Sequence, residues 1–570
     1  MRRLALLVLW PSVVILVGCG SHAPTQAPAP TVRVPVAPDA PLPTAALSAA
    51  ELRRYLTVFA ADSMAGRQMG TAGNVKATDY LAAQLQGLGV EPAGEHGSYF
   101  QTLPLTERSV DSAASGLSVS GKALVIWQDF APIPSFPDFG LAFGMRGSLD
   151  GVQAIYAGPM GDTAPALTPE QAAGKLVVLG PPRGAQGGAG MATAVTQYAA
   201  AAGIAFSILN FVPKEQMEFL RQLPPGMEAE LPEGPLGLLI SFTALQDLFG
   251  VPLDSLTPGR TGAMIQGTVR FALRPSAFPS RNVIALVRGS DPALRDEYVV
   301  IGAHNDHVGT GRPQDHDSVW AFNHVVRPDG AESPMRAASA EQQTRIQAIR
   351  DSLRALHPSS LDSIFNGADD DGSGSVTTLA MAAAFQLTPA KPRRSILFVW
   401  HTGEEAGLYG SRYFTDNPTV PRDSIVAELN MDMIGRGRAT DVKGGGPGYL
   451  QLIGSRRLST ELGDLVETVN TRDGYGFTFD YQYDATGHPQ QYYCRSDHYM
   501  YARYGIPIVF FSTGSHQDYH MLTDEVQYID FDKMSRVGRL VADIARTVAN
   551  LDHRVVVDQP KPDPKGQCRQ

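Results

Sequence analysis

Short unbroken apolar runs recur through the second half of the chain: NVIALVRG (282–289), YVVIGAH (298–304), SILFVWHT (395–402), SIVAELNMDMIG (424–435), LQLIGS (450–455) and IPIVFFST (506–513). Runs of this length without polar alternation are the pattern of strands buried on both faces of a parallel or mixed sheet. Between them, apolar positions repeat at helical spacing near 373–387, 405–416, 459–472 and 531–551. Alternating strand and helix signals predict an α/β domain of three layers. Upstream, Ser48-Ala49-Ala50-Glu51 has capping-box spacing before one helix, and 73–88 reads as another that stops at a glycine.

Residues 110–275 keep a different rhythm. ALVIW (123–127), GVQAIYAG (151–158) and KLVVLG (175–180) are strand-like, followed by an Ala-rich helical stretch and IAFSILNF. No cluster of His, Asp and Glu at ligand spacing occurs there, and the region reads as an inserted domain. The division expected is 1–18 signal peptide, 19–47 Pro/Ala-rich tether, 48–110 first part of the catalytic domain, 111–278 insert, 279–555 catalytic domain and 556–570 polar tail.

Arg2 and Arg3 precede an apolar stretch too short to span a bilayer, which reads as a secretory signal. Its end, Leu16-Val17-Gly18-Cys19, resembles the lipobox of bacterial lipoproteins, in which the cysteine is acylated. That resemblance implies lipidation of Cys19 and a place in the cell envelope, on the outer membrane facing the periplasm. The exported compartment permits a disulfide. Cys568, however, lies in a tail read as disordered, and whether it pairs with Cys494 is left open. The net charge of −10 and the lack of a basic patch exclude a nucleic-acid partner.

Candidate chemistry sits where the strands end, which in open α/β sheets is where sites form. His304, Asn305 and Asp306 follow one run; Glu404 and Glu405 follow another; Asp432 and His520 follow two more. NGADDDGSG (366–374) places Asp370 among three aspartates just before a helix. Each residue alone has a plain structural role available, as a cap, a turn former or a partner of a helix dipole. Together, two histidines and several carboxylates without cysteine are a ligand set for one or two zinc ions in an open site. A metal would also explain three adjacent aspartates.

GAHNDH, NGADDDGSG, HTGEEAGLYGS, LNMDMIGR, RSDHYMYARYGIP and HQDYHMLTDE, in this order, resemble the motifs of the di-zinc aminopeptidases, metallopeptidase family twenty-eight, over roughly 48–105 and 280–552. The early GRQMGTAG and HGSYFQ are similar to that family's N-terminal segment, and the insert resembles a protease-associated domain. The resemblance implies a three-layer zinc-exopeptidase fold with a mixed, largely parallel sheet and a β-rich inserted domain. It implies two zinc ions: His304 and Asp432 on one, Glu405 and His520 on the other, Asp370 bridging, Glu404 as general base and Asp306 holding His304 by its free ring nitrogen. The activity implied is removal of N-terminal residues from peptides through a metal-bridging water.

Carboxypeptidases or dipeptidases of the same fold stay open, because Arg436 and Arg438 lie near Asp432 and a C-terminal carboxylate needs a cation. A non-catalytic binding protein is the remaining class. Both ligand sets are present, which argues against the one-zinc cyclases of the family. An unusual stretch separates His304 from Asp370: it forms either a wall over the pocket or a surface excursion, and its His316 and His324 read as surface residues rather than ligands. Asp497 reads as tuning the site or capping helix 498–504. Side-chain preference and oligomeric state are not legible.

Overall fold

The computed structural model describes residues 42–570 apart from 136–140, 162–166, 183–186, 222, 224, 228–230 and 334–335. The signal-peptide reading, Cys19 and nearly all of the tether lie outside the described residues. None of the described helices is long and apolar enough to cross a membrane.

The larger domain is built on a mixed sheet of nine strands. Its centre is four parallel strands in the order Ser395–His401, Tyr298–His304, Ile425–Met431, Ile508–Ser512. Strand Arg281–Val287 flanks them antiparallel on one side and Tyr449–Ile453 on the other. Side chains alternate between faces as a pleated strand requires. Val299, Ile301 and Ala303 join one core, under helices Ala49–Phe59, Gly374–Leu387 and Phe531–Ala549. Tyr298 and Val300 join the other, under Tyr409–Asp416 and His498–Ala502. Burial on both faces is the reason these strands read as continuous apolar runs.

Local differences from expectation have local causes. Ser48 caps its helix by accepting from the Glu51 N–H at 3.4 Å, but the Glu51 carboxylate turns to Arg54 at 2.8 Å instead of closing the capping box. The helix expected from 405 starts at Tyr409, because Gly403, Gly407 and Leu408 take positive φ and turn the chain first. Glu404 and Glu405 therefore sit in that turn and not in a helical first turn.

The insert carries a separate ten-stranded sheet centred on Thr261–Pro275, with its own apolar cores. Thr106–Val110 pairs antiparallel with Phe271–Pro275, so this strand joins the second sheet. The tail is ordered. Cys494 and Cys568 form a disulfide, and Gln570 accepts from the Tyr493 N–H at 2.9 Å. A polar sequence predicted disorder; the covalent bridge and these backbone contacts hold the tail instead.

Candidate metal centre

The four parallel strands deliver their carboxyl ends to one edge, with His304 in register with His401. His304 ends its strand, Glu404 and Glu405 occupy the turn after Ser395–His401, Asp432 follows Ile425–Met431, and His520 lies eight residues beyond Ser512. Asp370 comes from the wide turn Ala368–Ser373 that opens helix Gly374–Leu387.

Every metal-ligand candidate named from the sequence converges here. Asp370 turns one oxygen to each side: Oδ1 is 3.1 Å from His304 Nε2, and Oδ2 is 3.0 Å from His520 Nε2. His304 Nε2 also lies 3.6 Å from Asp432 Oδ1, and His520 Nε2 lies 2.9 Å from Glu405 Oε2. Two groups able to hold a cation result, His304–Asp370–Asp432 and His307–Asp370–Glu405–His520, with Asp370 common to both.

The neighbouring aspartates explain the triple. Asp371 accepts from the amides of His304 (3.1 Å), Gly374 (2.8 Å) and Met433 (3.2 Å), tying three site-bearing segments together. Asp369 points away and accepts from the Gly435 N–H at 2.6 Å. Gly374 is required by this arrangement, since a Cβ there would collide with the Met431 carbonyl and the Asp371 carboxylate. Asp524 then accepts from the amides of both Asp369 and Asp370, at 3.0 and 3.1 Å.

Asp306 differs from expectation. The ring nitrogen His304 Nδ1 meets the Asp306 carbonyl oxygen at 3.2 Å, while the carboxylate is 3.8 Å away. The side chain instead accepts from the Glu404 N–H at 3.2 Å, joining two strand ends. Asp497 does not cap its helix: its carboxylate lies 3.4 Å from His401 Nδ1. Asp432 is held by Ser496, whose hydroxyl donates at 2.8 Å and accepts from Asn430 Nδ2 at 3.0 Å.

The electrostatics suit cations. Burial pushes the Asp306 carboxyl up to about 7. Burial also raises Glu404 well above the usual carboxylate range, with Glu405 and Asp432 adding to it. Burial opposes a charged His520, yet Glu405 and Asp370 outweigh it and lift the ring to about 10. The same contest leaves His304 raised by Asp432 and Asp370. His304 Nε2 and Asp370 Oδ2 are buried and short of hydrogen-bond partners. So many buried carboxylates, with lone pairs converging on two points, fit one or two divalent cations.

Two residues escaped the sequence reading. His307 Nδ1 lies 2.8 Å from Glu405 Oε1; its signal was a third titratable side chain in GAHNDH. Arg67, fully buried, donates to the carbonyls of Asn305 (3.3 Å), Asn366 (2.6 Å) and Gly367 (2.9 Å), so one cation braces the two acidic loops. Within GRQMGTAG nothing local marks it for that role. His316 and His324 join neither group, but they are not free surface residues: both pack toward the segment that carries His520.

Fold and site together define a class, an α/β protein with a paired cation-ligand set at the carboxyl edge of a parallel sheet. Residues 282–545 match the model of Peptidase family M28. Leucine aminopeptidase 1 of Coccidioides posadasii (strain C735) is 32% identical over 215 residues, 36% of this chain and 52% of that protein. That of Ajellomyces capsulatus is 29% identical over 217 residues, 36% and 53% of the two chains. The chain spans about half the length of the curated relatives it matches. Among solved structures, an aminopeptidase from Aneurinibacillus sp. strain AM-1 aligns with a TM-score of 0.47 at 15% identity, covering 91% of this chain and 98% of that one.

Proposed function

We propose that the protein is a zinc-dependent aminopeptidase that removes N-terminal residues from peptides. The observation that carries this reading is Asp370, with one oxygen facing His304 and the other facing His520 at near-equal distance. A carboxylate placed so serves two cations at once. The relatives' name, leucine aminopeptidase, supports the same reading. His304 and Asp432 would hold one zinc ion, and Glu405 and His520, with His307 beside them, the other. Two such ions supply Lewis acidity and a water of lowered pKa.

The chain's own residues do the rest. Glu404 shares the turn with Glu405 but belongs to neither ligand group, so its carboxylate is free to take a proton from the attacking water and return it to the leaving amine. The bond from its N–H to Asp306 fixes that turn. Ser496 orients Asp432. The carboxypeptidase alternative loses its support: Arg436 is buried between Asp441 (3.3 Å) and Asp518 (3.0 Å), and Arg438 reaches the Tyr528 carbonyl.

The insert reads as a protease-associated domain that borders substrate access. The lipobox-like end of the first segment supports anchoring through Cys19 in the envelope, facing the periplasm, which fatty-acid labelling of wild type against Cys19→Ser would check. The deciding experiment counts metal per chain beside hydrolysis of aminoacyl amides, N-blocked peptides and peptides with free C-termini, with and without chelator. Two ions and chelator-sensitive cleavage of free-amine substrates alone are expected. Cleavage of blocked peptides from the C-terminus would replace the reading with a carboxypeptidase, and tight metal without any hydrolysis would replace it with a binding protein.

A further inference from the structure

The stretch between His307 and Asp370 leaves and re-enters the domain beside the metal centre. Strand Thr310–Asp315 begins three residues after His307 and pairs antiparallel with Leu361–Ile364, which ends six residues before Asp370. Between them, helix His316–Val326 lies against the segment 515–528, which bears His520.

One stripe of that helix makes the contact. His316, Trp320, Asn323, His324 and the following Arg327 recur at three- and four-residue steps, so they share a face. His316 Nε2 lies 3.4 Å from Glu525 Oε1, and Trp320 stacks with Tyr528 at 6.3 Å between ring centroids. Asn323, fully buried, donates through Nδ2 to Asp518 Oδ1 at 3.3 Å and to Thr523 Oγ1 at 3.2 Å. Arg327 donates to the Gln517 carbonyl at 2.6 Å, and His324 meets Gln517 at 2.8 Å.

The segment needs such support. From 513 to 525 it has neither helix nor strand to set its path, and His520 sits at φ 56°, a left-handed conformation that a non-glycine residue keeps only when its surroundings impose it. Asp518 and Thr523 flank His520 in sequence and are joined to each other at 2.7 Å, so the Asn323 amide closes the loop's base. Arg436 holds the other oxygen of Asp518 from the opposite side.

We propose that helix His316–Val326 is a clamp on the His520 segment, and that Asn323 is a positioning residue that sets cation affinity at His307–Asp370–Glu405–His520 without touching the ion. This rests on the two-ion reading above. Partners that orient a ligand from behind change metal affinity by about 10- to 100-fold when removed. The clamp predicts a loss of that size at one ion only, because Asn323 has no contact with the His304 and Asp432 side.

The test is zinc binding by the metal-free full-length protein, dialysed against zinc buffers of stepped free concentration, with zinc per chain counted and folding followed by circular dichroism. Asn323→Leu keeps the branched shape and the number of heavy atoms and removes the amide. Expected are two ions in wild type, two of unchanged affinity in Gln347→Ala on helix Ala340–Arg354, which has no buried residue, and in Asn323→Leu one ion unchanged and one weakened by about 10- to 100-fold. Should Asn323→Leu not fold, Arg327→Met decides by the same signature. A folded variant that keeps both affinities, or loses both ions equally, overturns the clamp and leaves the two-ion reading standing. Wild type that holds at most one ion overturns both.

Discussion

At the scale of single residues, Glu404 and Glu405 show how neighbours in sequence come to different work. Glu405 meets His307 and His520, whereas Glu404 is left outside both ligand groups. Glu404→Gln should keep the metal content and lower kcat by about 10²- to 10⁴-fold, the range for a removed general base; metal loss in that variant would make it a ligand instead. His498 sets a pH dependence. It is fully buried, stacked on Phe510 at 4.7 Å, and burial lowers its pKa from 6.5 to about 3. Between those values the unfolded chain binds a proton that the folded chain refuses. Stability from this group is therefore complete above pH 6.5 and falls on acidification, by about 1.4 kcal/mol per pH unit at most. His498→Phe should flatten that part of the acid limb in urea midpoints taken between pH 7 and 5; an unchanged slope would assign it to other groups.

At the scale of elements, the tail and the loop 482–498 form one unit. The Cys494–Cys568 bridge closes 74 residues of chain, and Gln570 bonds to the Tyr493 amide and the Tyr483 carbonyl. Loop entropy sets a ceiling of about 4 kcal/mol on what the bridge contributes. Reductant should lower the melting temperature of wild type and leave Cys568→Ser, already lower, where it is. Equal response of both proteins would show that the tail is held by its polar contacts alone. The elements themselves were largely legible: helices near 373–387 and 459–472 appear as Gly374–Leu387 and Thr460–Arg472. The helix His316–Val326 was not, because the face it turns to 515–528 carries His316, Trp320, Asn323 and His324 against a partner distant in sequence.

At the scale of the whole molecule, the insert hangs from two adjacent points. The Ser276 N–H donates to the Leu105 carbonyl at 3.0 Å, and the insert's cores are separate from those of the nine-stranded sheet. Among the described residues, a small cluster of Met69, Leu103 and Leu105 packed with Met227 joins the two parts. Replacing 106–275 by a short Gly-Ser turn should leave metal content and hydrolysis of small aminoacyl amides intact while changing the rate on longer peptides. Collapse of the metal content would make the insert a foundation of the site.

The sequence by itself determined what depends on near neighbours: the buried strands, from their unbroken apolar runs; the helices, from their periodicity; and the set of side chains at one sheet edge, because a strand's end is visible in the chain. Only the tertiary structure decided which Asp370 oxygen faces which histidine, that His307 joins the group, that Arg67 braces two loops some 240 and 300 residues away, and that the tail is bridged. These are contacts between segments whose separation along the chain carries no periodic signal, and burial alone chooses among the partners that composition allows.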